Sequence, residues 1–257
     1  MKTTLAPCLA LFALLSVPAC EIHLHDGVSY HETDGVLYAD DVPLRYERWV
    51  KVESVPTKEV LQMGTSSGPI SISSGDAPEA CVIEAHLFSE VEGDGTVGFE
   101  GGKLKATSAT QHGVAINGIR GSVPAGSDLE IDTGTGELTL GEFKGGNVEL
   151  TTGTSFVVAK ACTVKSLAID TGTGDIEVTD LTSPSLRISS GTGDAALSGC
   201  KVDQLQFESG TGDLTIDASQ FKRSTLESGT GDIVLKHGAN LGEESHDLGT
   251  GDLTVER

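Results

Sequence analysis

The sequence predicts an all-β protein, a parallel β-solenoid (β-helix or β-roll) whose coils are about 19 residues long. Three observations carry that prediction. The first is a repeat. "DTGTGDIEV", "SSGTGDAAL", "ESGTGDLTI" and "ESGTGDIVL" are variants of one string. The first glycine of each such unit falls at Gly134, Gly153, Gly172, Gly191, Gly210, Gly229 and Gly249, at intervals of 19 with a final 20. The second is alternation. Before the glycines lie pairs such as Leu129/Ile131, Val148/Leu150, Leu167/Ile169 and Leu186/Ile188, and after them Leu138/Leu140, Ile176/Val178, Leu214/Ile216 and Ile233/Leu235. A period of two means strands with one buried face, and no stretch of the repeat sustains a helical period. The third is composition. There are 33 glycines in 257 residues and only 4% aromatics, so a core must be built from Ile, Val, Leu and Ala between many turns. One such unit cannot bury its own apolar face, so units must stack, with equivalent residues about 4.8 Å apart along the axis.

In chain order, residues 1–19 read as a signal peptide. Lys2 supplies the positive start, Leu5 to Val17 is an apolar run too short to span a bilayer well, and the run ends "VPAC". That ending resembles the lipobox of bacterial lipoproteins, which implies that Cys20 is lipidated and becomes the new N-terminus. Glu21 follows it rather than the aspartate associated with inner-membrane retention, so the resemblance implies the outer membrane. Residues 20–46 then form the lipid anchor and a tether, with Glu21 to Asp41 polar and charged. Within it, "HLHD" places His23 and His25 two apart, with His31 and Glu32 following; a metal site could start there, but a solvated tether is the plainer reading.

The solenoid occupies 47–257, with no second domain expected. "ERWVKVESV" (Glu47 to Val55) alternates like a strand and would open or cap the first coil. Weaker units at Gly75, Gly93 and Gly113 continue the spacing upstream, which would give eight to ten coils. At the other end His246 and Leu248 replace the apolar and hydroxyl residues of earlier units, as a cap requires. Thr133, Thr152, Thr171, Ser190, Ser209 and Ser228 would form a hydroxyl ladder. Cys81, Cys162 and Cys200 are odd in number and lack zinc-like spacing, so they read as small buried residues rather than a disulfide framework.

The chemistry of "G-T-G-D" has two readings. In one, glycine supplies a tight turn and the aspartate side chain bonds backbone amides. In the other, Asp175, Asp194, Asp213, Asp232 and Asp252 form a carboxylate column that binds calcium, as glycine- and aspartate-rich β-roll repeats do. Against calcium stand a period of 19 rather than nine, and a column broken by Glu137 and by Ser155 in a glycine position. A phosphate loop is excluded: the motif has no lysine, no helix follows, and an acid repels phosphate. "GTSSG" (Gly64 to Gly68) fits G-x-S-x-G around Ser66, but the strand-like "ISIS" follows where a nucleophile elbow needs a helix. A polysaccharide lyase would need acids grouped with Lys or Arg on one face, and the basic residues here fall at scattered offsets.

Strings such as "SGTGDLTI" and "ISSGTGDAAL", stacked at 19 residues behind a lipobox, resemble the bacterial putative-adhesin family of β-strand-repeat surface lipoproteins, over roughly Trp49 or Met63 to Arg257. The resemblance implies the fold and a non-enzymatic protein, with no catalytic residues to carry over. The formal charge of -21 excludes nucleic acid and anionic surfaces as partners and favours cations. The expected function is therefore a lipid-anchored, structural or adhesin-like envelope protein that binds glycan or protein partners and needs no cofactor. Glu149, Glu177, Arg187, Gln206, Thr215 and Thr225 are its contact candidates. The alternatives are a calcium-binding β-roll and an envelope-stress sensor that binds cationic peptides.

Overall fold

The computed structural model describes residues 30–33, 35–54, 60–75, 80–109 and 113–256. Cys20, His23 and His25 lie outside them. Every regular element among the described residues is a strand.

The chain enters through β1 (Tyr30–Thr33), β2 (Val36–Ala39) and β3 (Val42–Leu44), an antiparallel meander. Its Leu37, Ala39 and Leu44 pack with Ala115 and Phe88 in a small core of their own. These residues fall where the sequence predicts a polar tether. The alternation of Leu37 and Ala39, too brief to stand out in a charged stretch, is what folds them.

β4 (Tyr46–Ser54) follows as the expected strand. β5 (Leu61–Thr65) and β6 (Ile70–Ser74) then make the first coil, and "GTSSG" spans the end of β5 and the turn that follows it, Ser66 to Gly68. Ser66 therefore sits in a coil corner between two strands, where no helix follows.

The next 19-residue step does not come at once. β7 (Cys81–Ser89), β8 (Thr96–Glu100), β9 (Lys103–Thr107) and β10 (Val114–Val123) intervene, and three of their contacts are antiparallel: β4 with β7, β7 with β10, and β8 with β9. Gly75, Gly93 and Gly113 thus do not mark coils. Antiparallel hairpins also place a turn after each short run of alternating residues, so they imitate the coil spacing. Together these strands continue both sheets of the solenoid and close its N-terminal end.

Seven consecutive coils follow: β11 (Leu129–Thr135) with β12 (Leu138–Gly141), β13 (Asn147–Thr154) with β14 (Val157–Lys160), β15 (Ser166–Thr173) with β16 (Ile176–Thr179), β17 (Thr182–Thr192) with β18 (Ala195–Ser198), β19 (Lys201–Thr211) with β20 (Leu214–Asp217), β21 (Gln220–Thr230) with β22 (Ile233–Lys236), and β23 (Glu243–Thr250) with β24 (Leu253–Val255). Odd-numbered strands of these coils stack in one parallel sheet and even-numbered strands in the other. The first coil joins them directly, Leu61 pairing with Leu129 and Ile70 with Leu138. The architecture is the parallel β-solenoid with 19-residue spacing that the repeat predicts.

Each coil has a third, shorter side. It turns inward at Phe143, Cys162, Leu181, Cys200 and Ser219, all at most 1% exposed. The apolar residues among these join Leu186, Ile188, Leu205, Phe207, Leu214 and Ile216 in one continuous core. Fully burying a large apolar side chain is worth roughly 1.5–3 kcal/mol, which is what makes a stack stable where one coil is not. Before this third side the chain bends through a left-handed residue in successive coils: Glu142, Ala161, Asp180, Gly199, Ala218 and His237, with φ between 46° and 64°.

The two ends are finished differently. In the last coil Glu244 and His246 take the inward positions held one coil earlier by Ser224 and Leu226, and β23 is largely exposed. Polar residues aimed inward at an edge disfavour further stacking. At the N-terminal end the terminal strand of the eleven-stranded sheet is β4. Its Trp49, the single tryptophan, stacks on His86 at 4.7 Å and lies under the Arg120 guanidinium at 4.2 Å.

Candidate functional site

The corner between the two sheets is the most repetitive part of the molecule, and two columns of glycine build it. A Cβ on Gly191, Gly210 or Gly229 would approach the carbonyl oxygen of the glycine one coil earlier to 2.4, 2.6 and 2.7 Å. In the second column Gly174, Gly193, Gly212 and Gly231 have φ between 137° and 146°, and a Cβ would come to 1.9–2.3 Å from a carbonyl oxygen. Both glycines of G-T-G are thus required by contact, and the second by backbone conformation as well.

Five aspartates stand beside these glycines in a column. Asp175 Oδ1 accepts the backbone N–H of Asp194 at 2.9 Å, Asp194 that of Asp213 at 2.8 Å, Asp213 that of Asp232 at 2.8 Å, and Asp232 that of Asp252 at 2.9 Å. The amide reading of the motif anticipates a bond within the local turn; the bond instead crosses from coil to coil. One oxygen of each of the first four carboxylates is engaged in this way. Among the described residues, no group of three or more His, Cys, Asp and Glu is placed to hold a metal ion. The column begins only at Asp175, because Phe156, paired one coil earlier at the same corner, is an exposed aromatic.

Inside the corner runs the hydroxyl ladder. Thr65 and Thr133 are 3.1 Å apart, and Thr152 donates to Thr171 at 3.0 Å. Where serine replaces threonine the ladder breaks: the hydroxyls of Ser190, Ser209 and Ser228 are closed off from solvent without a hydrogen-bond partner. Outside the same stretch lies a groove of about 410 Å³, lined by Ser189, Glu208, Glu227 and Asp247 and floored by Gly210 and Gly229. Gln206 donates to Glu208 at 2.6 Å, and Arg187 lies 4.0 Å from its other oxygen. Further along this column towards the N-terminal end, burial together with Glu130 and Glu149 pushes the Asp132 carboxyl above its ordinary value, against the opposing pull of Lys103.

The sequence-derived contact candidates separate onto two faces. Glu149, Arg187, Gln206 and Thr225 occupy one column on the outer surface of the odd-numbered sheet. Glu177 and Thr215 lie on the even-numbered sheet. The groove acids are not among the candidates, although the recurring "ESG" before T-G-D is their signal. In the meander His31 stacks on Tyr38 at 5.2 Å, and Glu32 accepts a 3.4 Å bond from Ser67. The thiols of Cys81, Cys162 and Cys200 are free and buried.

Comparison with known proteins agrees with this architecture. Residues 157–255 match the family model described as Toastrack DUF4097. No curated protein matches the sequence. Among solved structures, a "putative adhesin" from Bacteroides fragilis superposes with a TM-score of 0.55 at 12% identity, over 81% of this chain and 97% of its own. A "putative adhesin" from Parabacteroides distasonis gives 0.52 at 10% identity, over 81% and 97%. At these identities the likeness is one of fold.

Proposed function

We propose that this chain is a non-enzymatic, lipid-anchored envelope protein, held to the outer membrane through Cys20, that presents its solenoid as an adhesin-like surface to glycan or protein partners. The observation that carries the reading is the acidic groove at the corner of the last coils. There Glu208, Glu227 and Asp247 recur once per coil beside Gly210, Gly229 and Gly249, whose lack of a side chain lets successive coils stack closely. Such a track offers the same hydrogen-bonding group at a regular pitch, which suits a polymeric ligand held by several weak contacts. Its charge favours ligands bearing amines or many hydroxyl donors. The aspartate column, in this reading, is a structural seam and not a calcium site, since one oxygen of each of its first four carboxylates accepts a backbone N–H of the next coil.

The names of the similar solved structures support surface adhesion. The test has two parts. Protease added to intact cells carrying the full chain should degrade the solenoid; protection would remove surface adhesion and leave a periplasmic role. On an array of immobilised glycans and a lysine-rich peptide, Glu208→Gln/Glu227→Gln should lose binding that the parent shows. Equal binding by both would remove the groove from the reading.

A further inference from the structure

The N-terminal end of the eleven-stranded sheet is finished in a way that the C-terminal end is not. β4 is nine residues long, contains no proline, and is exposed over Tyr46–Trp49 and at Lys51 and Glu53. Among the described residues no strand pairs with its outer side. Its charges, Glu47, Lys51 and Glu53 among them, blunt indiscriminate pairing, so this long edge is a template for a strand whose charges complement them. At the other end the eleven-stranded sheet stops at the three-residue β24. Beside it the edge strand of the ten-stranded sheet, β23, turns Glu244 and His246 inward, with Glu243, Asp247, Asp252 and Glu256 around them, which opposes both stacking and self-approach.

We propose that β4 is a homodimer interface, in which two copies of this chain pair their β4 strands antiparallel about a two-fold axis through Trp49. The charge pattern selects both the partner and the register. Glu47, Trp49, Lys51 and Glu53 share the outer face, the face on which Trp49 meets His86 and on which Lys51 and Arg120 flank Glu84. With the axis at Trp49, Glu47 of one copy faces Lys51 of the other, twice, and Arg45 faces Glu53, twice. An axis at Val50 would set Glu47 against Glu53, and an axis at Arg48 would set Arg45 against Lys51. Opposite charges directly across an antiparallel pair stabilise it and like charges destabilise it, so of these three registers only the one at Trp49 is free of a penalty. The pairing also covers Trp49, which is 44% exposed in one copy.

The partners that Glu47 and Lys51 already have, His86 at 3.1 Å and the neighbouring Glu53, are on the same face and can be shared. Arg48 is held away from the face, donating to the carbonyls of Asp94 and Gly95. The interface lies at the opposite end from the acidic groove, so a dimer would carry two grooves facing apart and raise the valency of the surface.

The test is disulfide trapping in the full chain. Directly opposed residues in an antiparallel pair have Cα atoms about 4.5–5.5 Å apart, within the range of roughly 4.4–6.8 Å that a disulfide spans. Trp49→Cys should therefore form a covalent dimer under mild oxidation, while the parent chain and Thr225→Cys on the outer surface of the last coil but one should not. Co-expressed Glu47→Cys and Lys51→Cys should form a mixed link that neither gives alone, a readout that keeps Trp49 in place. Adding Lys51→Glu to Trp49→Cys should lower the linked fraction about tenfold, because two attractive pairs become repulsive. Adding Glu47→Lys as well should restore it. Trp49→Cys linking no better than Thr225→Cys, linking to a different polypeptide, or linking regardless of the charge at position 51 would each overturn the proposal.

Discussion

The Asp194 carboxylate accepts the backbone N–H of Asp213, 2.8 Å away and one coil further along. The same bond recurs at three other steps of the column, so the side chain of each coil fixes the backbone of the next. An acceptor oxygen, and not a negative charge, is what this geometry uses. Asp194→Asn should therefore keep stability within about 0.5 kcal/mol, while Asp194→Ala should cost about 1 kcal/mol. Thermal unfolding of the parent should be the same in millimolar calcium and in chelator. A calcium-dependent rise in Tm that Asp194→Asn abolishes would restore the metal reading.

Glycine substitutions should separate contact from conformation. At Gly212 a Cβ would sit 2.0 Å from the Gly193 carbonyl oxygen and φ is 143°, so Gly212→Ala should cost well over the roughly 1–3 kcal/mol of strain alone. Ala218 has the opposite problem: it is an alanine at φ 46° in a turn that uses glycine at Gly199. Ala218→Gly should stabilise by about 1 kcal/mol, since it removes the left-handed penalty. Chemical denaturation of both variants checks the pair.

The broken half of the hydroxyl ladder can be completed. Thr171 accepts from Thr152, but Ser190 in the next coil makes no bond. Ser190→Thr places there a side chain already accommodated at Thr133, Thr152 and Thr171. It should raise stability by about 1 kcal/mol, read as a higher denaturation midpoint. A fall would mean that the corner narrows towards the C-terminal coils.

Burial pushes the Cys81 thiol up to about 11, from an ordinary value of 9.0, and raises Cys162 and Cys200 in the same direction. The folded state then holds a proton that the unfolded state releases above about pH 9. Stability from this source is complete below about pH 9 and is lost as pH rises through about 11. Cys81→Ala should flatten that part of the profile. At neutral pH none of the three thiols should react with a thiol reagent until the chain is denatured.

How far the sequence reveals this molecule differs from part to part, and for physical reasons. In-register parallel stacking puts every residue of a coil against its counterpart 19 positions away, so Gly210, Asp213 and Leu214 repeat the chemistry of Gly191, Asp194 and Ala195. Such a fold writes its period into the chain. The first coil escapes that reading because its neighbour is 68 positions away: Thr65 meets Thr133 only after the antiparallel strands intervene. The aspartate column is visible in the sequence, but not what its oxygens bind, because that depends on the twist from one coil to the next. The groove beside Glu208 and Glu227 is hidden for a similar reason, since it is lined by residues of several stacked coils and not by any one motif.

The carbonyl contacts of the glycine columns also govern how such a chain can change in length. Excising Gly191 to Ser209, one full 19-residue step, would bring Gly210 over Gly172, Gly212 over Gly174 and Asp213 over Asp175. Every glycine would still rest on a glycine and every aspartate on an aspartate. A cut that moved this corner by a fraction of a coil would set a side chain where the preceding carbonyl allows none, whereas the twentieth residue of the last step is taken up away from the corner and leaves Gly249 resting on Gly229.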